Sequence, residues 1–275
     1  MPNNVPLSTK YKYTYMKVSF TQVDTACMVI NINGFVIVTD PAFDKEGSEY
    51  EGARILYKTG SPKLQPAAIG PVDLVLLSHD QHKDNLDNAG REFIKTVKQV
   101  ISTPGAVERL AQDNITGLSE WESLAIATDK IPGLRITATP CQHAPTQELT
   151  KVSGHVIGFM IEWEGQQKGA LYVSGDTIYF EGIEEIAKRF NVHTAVLHVG
   201  KAGFPQINYM PLTFSTEMAI RTARLLNVEK FIPTHFEGWK HFNEQPEYLY
   251  DQITHSDIKE RLLWLQPGSP ALIEI

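Results

Sequence analysis

Short apolar segments that each stop close to a histidine or an aspartate restrict the fold of this chain of 275 residues more than any other feature. Four such segments are predicted to be strands. They are residues 73–77 before His79, 134–139 before His143, 170–174 before Asp176, and 230–233 before His235. Strand ends on one edge of a sheet lie close together, and rigid strands hold the residues that follow them in place. Because imidazole nitrogen and carboxylate oxygen suit zinc, manganese or iron, the pattern predicts a metal site at that edge.

The order of apolar segments predicts the class of fold. Residues 26–32 and 35–38 flank Asn33-Gly34, a pair that favours the tight type I′ turn of a β-hairpin, so we expect antiparallel strands near the start of the chain. Further on, predicted strands alternate with predicted helices at 91–98, 106–112, 183–190 and 214–226. Strands followed by alternating strands and helices occur twice. This order favours an α/β fold, a four-layer αββα sandwich of two mixed β-sheets with outer helices.

The organisation of the chain favours one domain. No linker rich in Pro, Gly or Ser divides it, so we expect a single domain over residues 1–275 with two similar halves, roughly 1–145 and 146–275. Residues 42–70 are polar, carry several Gly and Pro, and show no strong period. A connection of that length is uncommon unless it is functional, and we expect it to cover part of the site.

Composition limits the kinds of partner. The net charge of −7 argues against nucleic acid, because phosphate binding needs a basic face. The N-terminus has no apolar signal-peptide region, and no apolar run approaches the ~20 residues of a membrane span. Cys27 and Cys141 form no CxxC pair, which favours a reducing compartment. We therefore expect a cytoplasmic protein with a small-molecule substrate and neither nucleic acid nor membrane as a partner. Formation of an oligomer stays open.

The segment after the first of the four strands reads His79-Asp80-Gln81-His82-Lys83-Asp84-Asn85. Together with His143, Gly175-Asp176-Thr177 and Pro233-Thr234-His235, it resembles the metallo-β-lactamase fold superfamily of metal-dependent hydrolases, whose leading motif is HxHxDH. The resemblance spans nearly the whole chain, and it looks most like the branch that includes ascorbate-phosphate lactonases. It implies one or two ions per chain, Zn²⁺ above all, with Mn²⁺ or Fe as alternatives. The implied metal ligands are His79, His82, Asp84, His143, Asp176 and His235, with Asp176 bridging.

The leading motif is altered in this chain. If His79 and His82 are both ligands, the loop has one extra residue between them. If position 81 is instead the slot of the second histidine, Gln81 has replaced a ligand. In either alignment the last histidine of the motif, which serves the second metal in the family, is Asn85. We therefore expect one firmly held metal and a second that is weak or missing.

The resemblance also implies a mechanism. A metal lowers the pKa of its bound water from ~16 to ~7, and the resulting hydroxide attacks a carbonyl or phosphorus centre. The expected substrate is a small ester, lactone or phosphodiester, and Asp84 is the expected catalytic residue that holds the water or accepts its proton. Asp40, at the end of the opening hairpin, is a candidate for orienting a histidine ligand.

Other residues near the predicted site are candidates for shaping a pocket. Lys201 is placed to meet an anionic group of a substrate, whereas Trp239 and His241 are placed to form an apolar wall. His198 lies inside an apolar run and is interpreted as a core residue with a hydrogen-bonded ring.

Two alternatives stay open beside the hydrolase. Gln81 and Asn85 motivate the first, a degenerate, non-catalytic member of the same fold that binds a metal or another ligand. The second is an oxidoreductase that uses two irons in this fold. Metal content, followed by activity before and after chelation, separates the hydrolase from the non-catalytic protein.

Overall fold

The structure is a computed structural model that describes residues 16–52 and 54–275. The strands in those ranges are β1 (Lys17–Asp24), β2 (Cys27–Ile32), β3 (Phe35–Thr39), β4 (Glu49–Tyr50), β5 (Leu56–Tyr57), β6 (Leu74–Leu76), β7 (Val100–Ser102), β8 (Ile115–Gly117), β9 (Ser123–Ala125), β10 (Arg135–Pro140), β11 (Ile157–Glu162), β12 (Ala170–Val173), β13 (Val192–His198), β14 (Lys230–Thr234) and β15 (Ala271–Glu274). The α-helices are α1 (Pro66–Ile69), α2 (Asn88–Ile94), α3 (Pro104–Leu110), α4 (Gln147–Ser153), α5 (Glu181–Arg189), α6 (Thr216–Leu225) and α7 (Pro246–Thr254).

The strands form two large mixed sheets and one small hairpin. The first sheet has the order β15-β1-β2-β3-β6-β7-β8, and the second has the order β14-β13-β12-β11-β10-β9. In the first sheet, β15 and β1 to β3 pair antiparallel, whereas β3, β6, β7 and β8 pair parallel. In the second sheet, β12, β13 and β14 are parallel and the other pairs are antiparallel. The separate hairpin consists of β4 and β5.

Three apolar clusters define the layers. The cluster between the sheets joins alternate residues of both, such as Ile30 and Ile37 with Phe159 and Val196. A second cluster packs α5, α6 and α7 on the outer face of the second sheet, and a third packs α2 and α3 on the outer face of the first. Alternate strand residues therefore face a sheet on one side and helices on the other. The predicted four-layer αββα sandwich is confirmed.

Local sequence signals account for much of this architecture. The predicted opening hairpin is confirmed, because β2 and β3 pair around Asn33 and Gly34, whose φ angles of 50° and 84° suit a type I′ turn. Helix α2 begins earlier than predicted because the side chain of Asp87 accepts a hydrogen bond from Gly90 N and caps the helix at that point. Seven elements carry patterns too weak for the prediction to include them: β4, β5 and α1 within residues 42–70, and β8, β9, α4 and α7 elsewhere.

Two expectations remain, namely that the chain has two similar halves and that it has no signal peptide. The second sheet takes β9 and β10 from before residue 145, while β15 from the end of the chain joins the first sheet. The division into two similar halves stays a prediction. The N-terminal segment in which no signal peptide was found lies outside the described residues. In the part of the chain that the structure describes, no helix is both long and apolar enough to cross a membrane.

The histidines and aspartates that were predicted as metal ligands lie at one edge of the sandwich. The parallel strands β3 and β6 of the first sheet, and β12, β13 and β14 of the second, all end there. Two backbone hydrogen bonds tie the sheets together at this edge, from Ile157 N to Ser78 O (3.1 Å) and from His235 N to Thr25 O (2.8 Å). The residues that follow each strand are therefore held between both sheets.

Candidate metal centre

The loop after β6 is fixed by contacts on both sides. Ser78 N donates to Asp40 Oδ1 over 2.7 Å, which ties the start of the loop to the end of β3. The side chain of Asp80 is buried and points away from the site, where it accepts from Arg109 Nε over 3.0 Å. Arg91 of α2 donates to the carbonyl group of Asp80. This bracing holds the histidine-rich loop in one conformation.

Three imidazoles and a carboxylate converge beyond this loop. His82 Nδ1 lies 3.0 Å from His79 Nε2 and 3.0 Å from His143 Nε2. His143 Nε2 lies 3.8 Å from Asp176 Oδ2. One donor atom from each of these four residues lies within 4.8 Å of all the others. Such a group could hold a metal ion.

Burial favours the neutral form of two imidazoles in this first group, those of His79 and His82. Burial, with help from the neighbouring histidines, lowers the pKa of His79 well below its usual value and that of His82 to about 4. His143 Nδ1 donates to Leu212 O over 2.7 Å, so its Nε2 keeps a free lone pair toward the group. Three imidazole nitrogens that face one another cannot all be paired by single hydrogen bonds among themselves. A divalent cation of borderline softness fits this set of donors.

The alternative between Gln81 and His82 has a geometric answer. His82 contributes its Nδ1 to the first group, whereas Gln81 lies on the wall of the adjoining cavity and its Oε1 has no partner among the described residues. The chain accommodates the extra residue of the motif in the turn between His79 and His82. The structure therefore brings His82, rather than Gln81, to the place of the second histidine.

A second donor group shares Asp176 with the first. His235 Nε2 lies 3.3 Å from Asp84 Oδ2 and 3.5 Å from Asp176 Oδ1. These three residues have donor atoms within 4.8 Å of one another. His241 Nε2 approaches the same oxygen of Asp84 at 3.0 Å. Asp176 thus turns one carboxylate oxygen toward each group, which is the geometry of a bridging ligand.

Charge is concentrated in this second group. Burial disfavours the charged form of Asp84, but its contacts with His235 and His241 outweigh burial and hold its pKa well below the usual range. Burial also disfavours the charged form of His235, yet Asp176 and Asp84 together raise the pKa of His235 to about 9. The carboxylates are therefore ionised, as metal ligands must be.

Asn85 occupies the place of the last histidine in the motif and makes different contacts. Its Nδ2 donates to Asp176 Oδ1 over 3.2 Å and to Asp40 Oδ2 over 3.5 Å, so the amide links two buried carboxylates. Burial and the nearby charge of Asp176 raise the pKa of Asp40 to about 8. Asp40 was a candidate for orienting a histidine ligand, but the structure places it on Ser78 N and Asn85, with the nearest imidazole, that of His198, 3.8 Å away.

His198 belongs to the site although the sequence interpretation left it in the core. It is fully buried with a hydrogen-bonded ring, as expected, but its partner is Asp176, whose Oδ1 lies 2.9 Å from Nδ1. Its ring also stacks on His235, with centroids 5.4 Å apart. The alternation of side chains between the two faces of β13 could have indicated that His198 lies at the site. His198 shares the face of Val196, which points between the sheets, and it stands at the end of the strand.

The other candidate residues differ in how close they lie to the two donor groups and to the cavity above them. Lys201 Nζ lies 3.9 Å from Glu244 Oε1, and Lys201 does not line the cavity over the donor groups. Trp239 is buried behind that cavity and donates from Nε1 to Thr25 Oγ1 over 3.0 Å. His241 lines the cavity directly. Cys141 donates to Ser174 O over 3.1 Å and joins neither donor group.

The donor groups lie at the floor of a cavity of about 350 Å³. Part of its wall comes from the β4–β5 region, through Tyr50, Arg54 and Leu56. The long polar segment 42–70 thus covers the site, as expected. A molecule bound in this cavity therefore meets the carboxylates of Asp84 and Asp176 and the imidazoles of His82, His143 and His241.

Proteins similar to this chain in sequence or fold include named hydrolases. The chain is 26% identical over 228 residues to a UPF0173 metal-dependent hydrolase of Caldivirga maquilingensis, covering 80% of this chain and 90% of the relative. It is 26% identical over 245 residues to a UPF0173 metal-dependent hydrolase of Lawsonia intracellularis, covering 87% and 92%. Among solved structures, isothiocyanate hydrolase from Delia radicum gut bacteria superposes with a TM-score of 0.78 and 20% identity, covering 93% of this chain and 99% of that one.

A family model covers most of the chain. The model described as the beta-lactamase superfamily domain matches residues 36–236, from β3 to the residue after His235. The matched segment contains both donor groups. The resemblance to the metallo-β-lactamase superfamily is therefore confirmed, whereas the assignment to the branch with ascorbate-phosphate lactonases stays a prediction. The chain belongs to the beta-lactamase superfamily domain family.

Proposed function

We propose that this protein is a metal-dependent hydrolase whose principal metal is held by His79, His82, His143 and Asp176. One observation carries the proposal: three imidazole nitrogens and a carboxylate oxygen converge within 4.8 Å at the floor of a cavity. Zn²⁺ suits these donors best, with Mn²⁺ or Fe as alternatives. When bound, such an ion acts as a Lewis acid and lowers the pKa of a coordinated water toward 7.

The chain's own residues supply the proton transfer. Asp84 lies at the floor of the cavity, ionised and buried, so its carboxylate would hold an attacking water or accept its proton. His241 Nε2, 3.0 Å from that oxygen, orients the carboxylate, and its Nδ1 has no partner among the described residues. His241 therefore keeps Nδ1 available for a hydrogen bond to a group in the cavity.

The second donor group is the weaker metal site in this proposal. Asp84, Asp176 and His235 provide three donors, but Asn85 directs an N–H group at Asp176 where the motif has an imidazole. An amide donor competes for the carboxylate lone pair and adds no nitrogen ligand. We therefore assign one firmly held metal per chain and a weak second site.

The proposed substrate is a small ester, lactone or phosphodiester, the classes whose carbonyl or phosphorus centre a metal-activated water attacks. The cavity of about 350 Å³ suits a small molecule. We propose that the protein acts in the cytoplasm. The two cysteines are both free, with Cys27 buried, which suits a reducing compartment.

Metal content and activity test the proposal together. Reconstituted wild-type protein, His82→Ala and Gln81→Ala are analysed for bound metal by mass spectrometry, and each is assayed on a panel of esters, lactones and phosphodiesters before and after chelation. We expect about one tightly bound metal in wild type and in Gln81→Ala, a large loss in His82→Ala, and hydrolysis that chelation abolishes and metal restores. Metal below about 0.3 per chain in reconstituted wild type would overturn the proposal, since such sites bind tightly.

The non-catalytic alternative rests on Asn85. It predicts no metal-dependent turnover of any substrate in the panel, whether the chain binds a metal or another ligand. Iron bound in pairs, together with oxygen consumption, would instead favour the di-iron oxidoreductase.

A further inference from the structure

Two cavities share a wall beside the metal centre. The cavity over the donor groups, of about 350 Å³, adjoins a second one of about 500 Å³ that is lined largely by residues after β4 and around Phe204. The residues common to both walls are Arg54, Leu56, Phe204 and His241. A molecule that reaches from one cavity into the other must pass these four side chains.

Three side chains in this wall, those of Arg54, Phe204 and His241, form a row of contacts. The Arg54 guanidinium carbon lies 3.8 Å from the centroid of the Phe204 ring. The Phe204 ring is stacked on the His241 ring, with centroids 5.1 Å apart and an angle of 16° between the planes. His241 Nε2 is in turn 3.0 Å from Asp84 Oδ2. The row therefore connects the proposed catalytic carboxylate with a fixed cation.

Arg54 has no anionic partner within the described ranges 16–52 and 54–275. Its Nη1 is buried and makes no hydrogen bond there. Burial lowers the pKa of Arg54, although a guanidinium stays charged in proteins. Arg109, by contrast, is paired with Asp80. A buried guanidinium nitrogen without a partner is costly, so a site that keeps one is prepared to receive an acceptor.

The other charges around the cavity leave Arg54 available. Lys83 lines the same cavity, but its Nζ donates to Asn88 Oδ1 over 2.7 Å. Glu51 also lines this cavity and is exposed. Asp84 and Asp176 face imidazoles at the floor. Arg54 thus offers an unpaired donor in the upper wall, beyond the reacting centre.

We propose that Arg54 is a specificity-determining residue that binds an oxyanion, a carboxylate or a phosphate group, at the end of the substrate remote from the scissile bond. The planar guanidinium, which lies over the Phe204 ring, presents donors that match two oxygens of such a group. The inference deepens the proposed function and rests on it, since it names the substrates of that hydrolase as small anionic molecules.

Three matched anilides probe this site without being the substrate. Pentananilide ends in a methyl group, the monoanilide of glutaric acid ends in a carboxylate, and 4-phosphonobutananilide ends in a phosphonate. Their binding to zinc-loaded full-length protein is measured by calorimetry for wild type, Arg54→Gln and Arg54→Lys. Arg189→Gln is the matched control, because Arg189 also stacks on an aromatic ring, 4.0 Å from the centroid of Trp121, but lines neither cavity.

We expect at least one anionic anilide to bind wild type about tenfold or more tightly than pentananilide, as a charge-assisted hydrogen bond allows. Arg54→Gln should remove that advantage, Arg54→Lys should keep part of it, and Arg189→Gln should leave it intact. Whichever of the carboxylate and phosphonate anilides binds more tightly identifies the anionic group that Arg54 recognises. The inference is overturned if neither anion binds better than pentananilide, or if the advantage survives in Arg54→Gln, which would mean that the anion binds elsewhere.

Titrating the metal-free protein separates this inference from the proposed function. Arg54 is not a member of either donor group, so an anion advantage that depends on Arg54 should persist without metal. That result, in a protein that binds no metal or hydrolyses no substrate, contradicts the proposed function and supports the anion site. Normal metal content and turnover, together with anilide binding that does not depend on Arg54, would support the proposed function and contradict the anion site.

Discussion

The imidazole of His198 rests against the carboxylate of Asp176, with Nδ1 2.9 Å from Oδ1, at the point where Asp176 is shared by both donor groups. His198 is fully buried, and burial lowers its pKa, so the neutral ring donates from Nδ1. This hydrogen bond from His198 fixes the orientation of the Asp176 carboxylate, which both donor groups share.

Replacing His198 by Asn should weaken metal binding about 10- to 100-fold, which is the usual effect of removing a partner that orients a ligand. The measurement is a competitive titration with a chromophoric chelator. His193→Asn is a matched control, because His193 lies on the same strand but its ring contacts Thr194 and Glu229 instead. Equal affinity in His198→Asn and wild type would contradict an orienting role.

Replacing Asn85 by His should strengthen the second donor group. The change removes an amide that donates to Asp176 and adds an imidazole at the motif position. We expect the tightly bound metal to rise from about one toward two per chain, measured by mass spectrometry after dialysis. Asn85→Ala removes the amide without adding a ligand and should stay near one. A value of about one in both variants would show that Asn85 is not what limits the second site.

Breaking the buried pair of Lys58 and Asp24 should destabilise the fold. Both side chains are almost inaccessible, and Lys58 Nζ contacts Asp24 Oδ2. Lys58→Met should lower the free energy of unfolding by about 3–5 kcal/mol, because it leaves a buried carboxylate without its cation. Urea denaturation measures the change. The double variant Asp24→Asn with Lys58→Met should recover part of the loss, and failure to do so would mean that packing, not charge, is responsible.

The same pair gives a pH dependence with a defined sign. Burial raises the pKa of Asp24 to about 6, although Lys58 opposes the shift. Since the folded pKa lies above the ordinary value near 4, the contribution of Asp24 to stability is complete below pH ~4 and is lost as the pH rises through about 6. Without Lys58 the pKa of Asp24 should rise further, so Lys58→Met should be more destabilised at pH 8 than at pH 5. An equal loss at both values would contradict this linkage.

Replacing Gly90 by Ala should disturb the loop that carries the first two histidines. A Cβ at Gly90 would overlap the backbone carbonyl group of Pro41, so α2 would have to move away from the end of β3. We expect a stability loss of about 1–3 kcal/mol and weaker metal binding, measured by thermal denaturation with and without metal. Gly52→Ala, where the nearest atom to the new Cβ is 3.6 Å away, should change the melting temperature little. Comparable losses in both variants would argue against the proposed overlap.

The sequence by itself determined the parts that depend on local rules. Alternating apolar residues and the Asn33-Gly34 turn set the strands and the opening hairpin, because side-chain periodicity and turn geometry are properties of neighbouring residues. Histidine and aspartate directly after buried strands indicated where His79, His143, Asp176 and His235 would meet, since parallel strands bring their ends to one edge.

The tertiary structure decided what depends on contacts between distant segments. Whether Gln81 or His82 joins the donor group was set by how the loop lies between β3, α2 and the second sheet, which no local pattern encodes. Asn85 links Asp40 with Asp176, and His198 supports Asp176, because the two sheets face each other at that edge. Arg54 gave no signal in the sequence at all. It stacks on Phe204 only because chain packing brings residues 150 positions apart to one wall of the cavity.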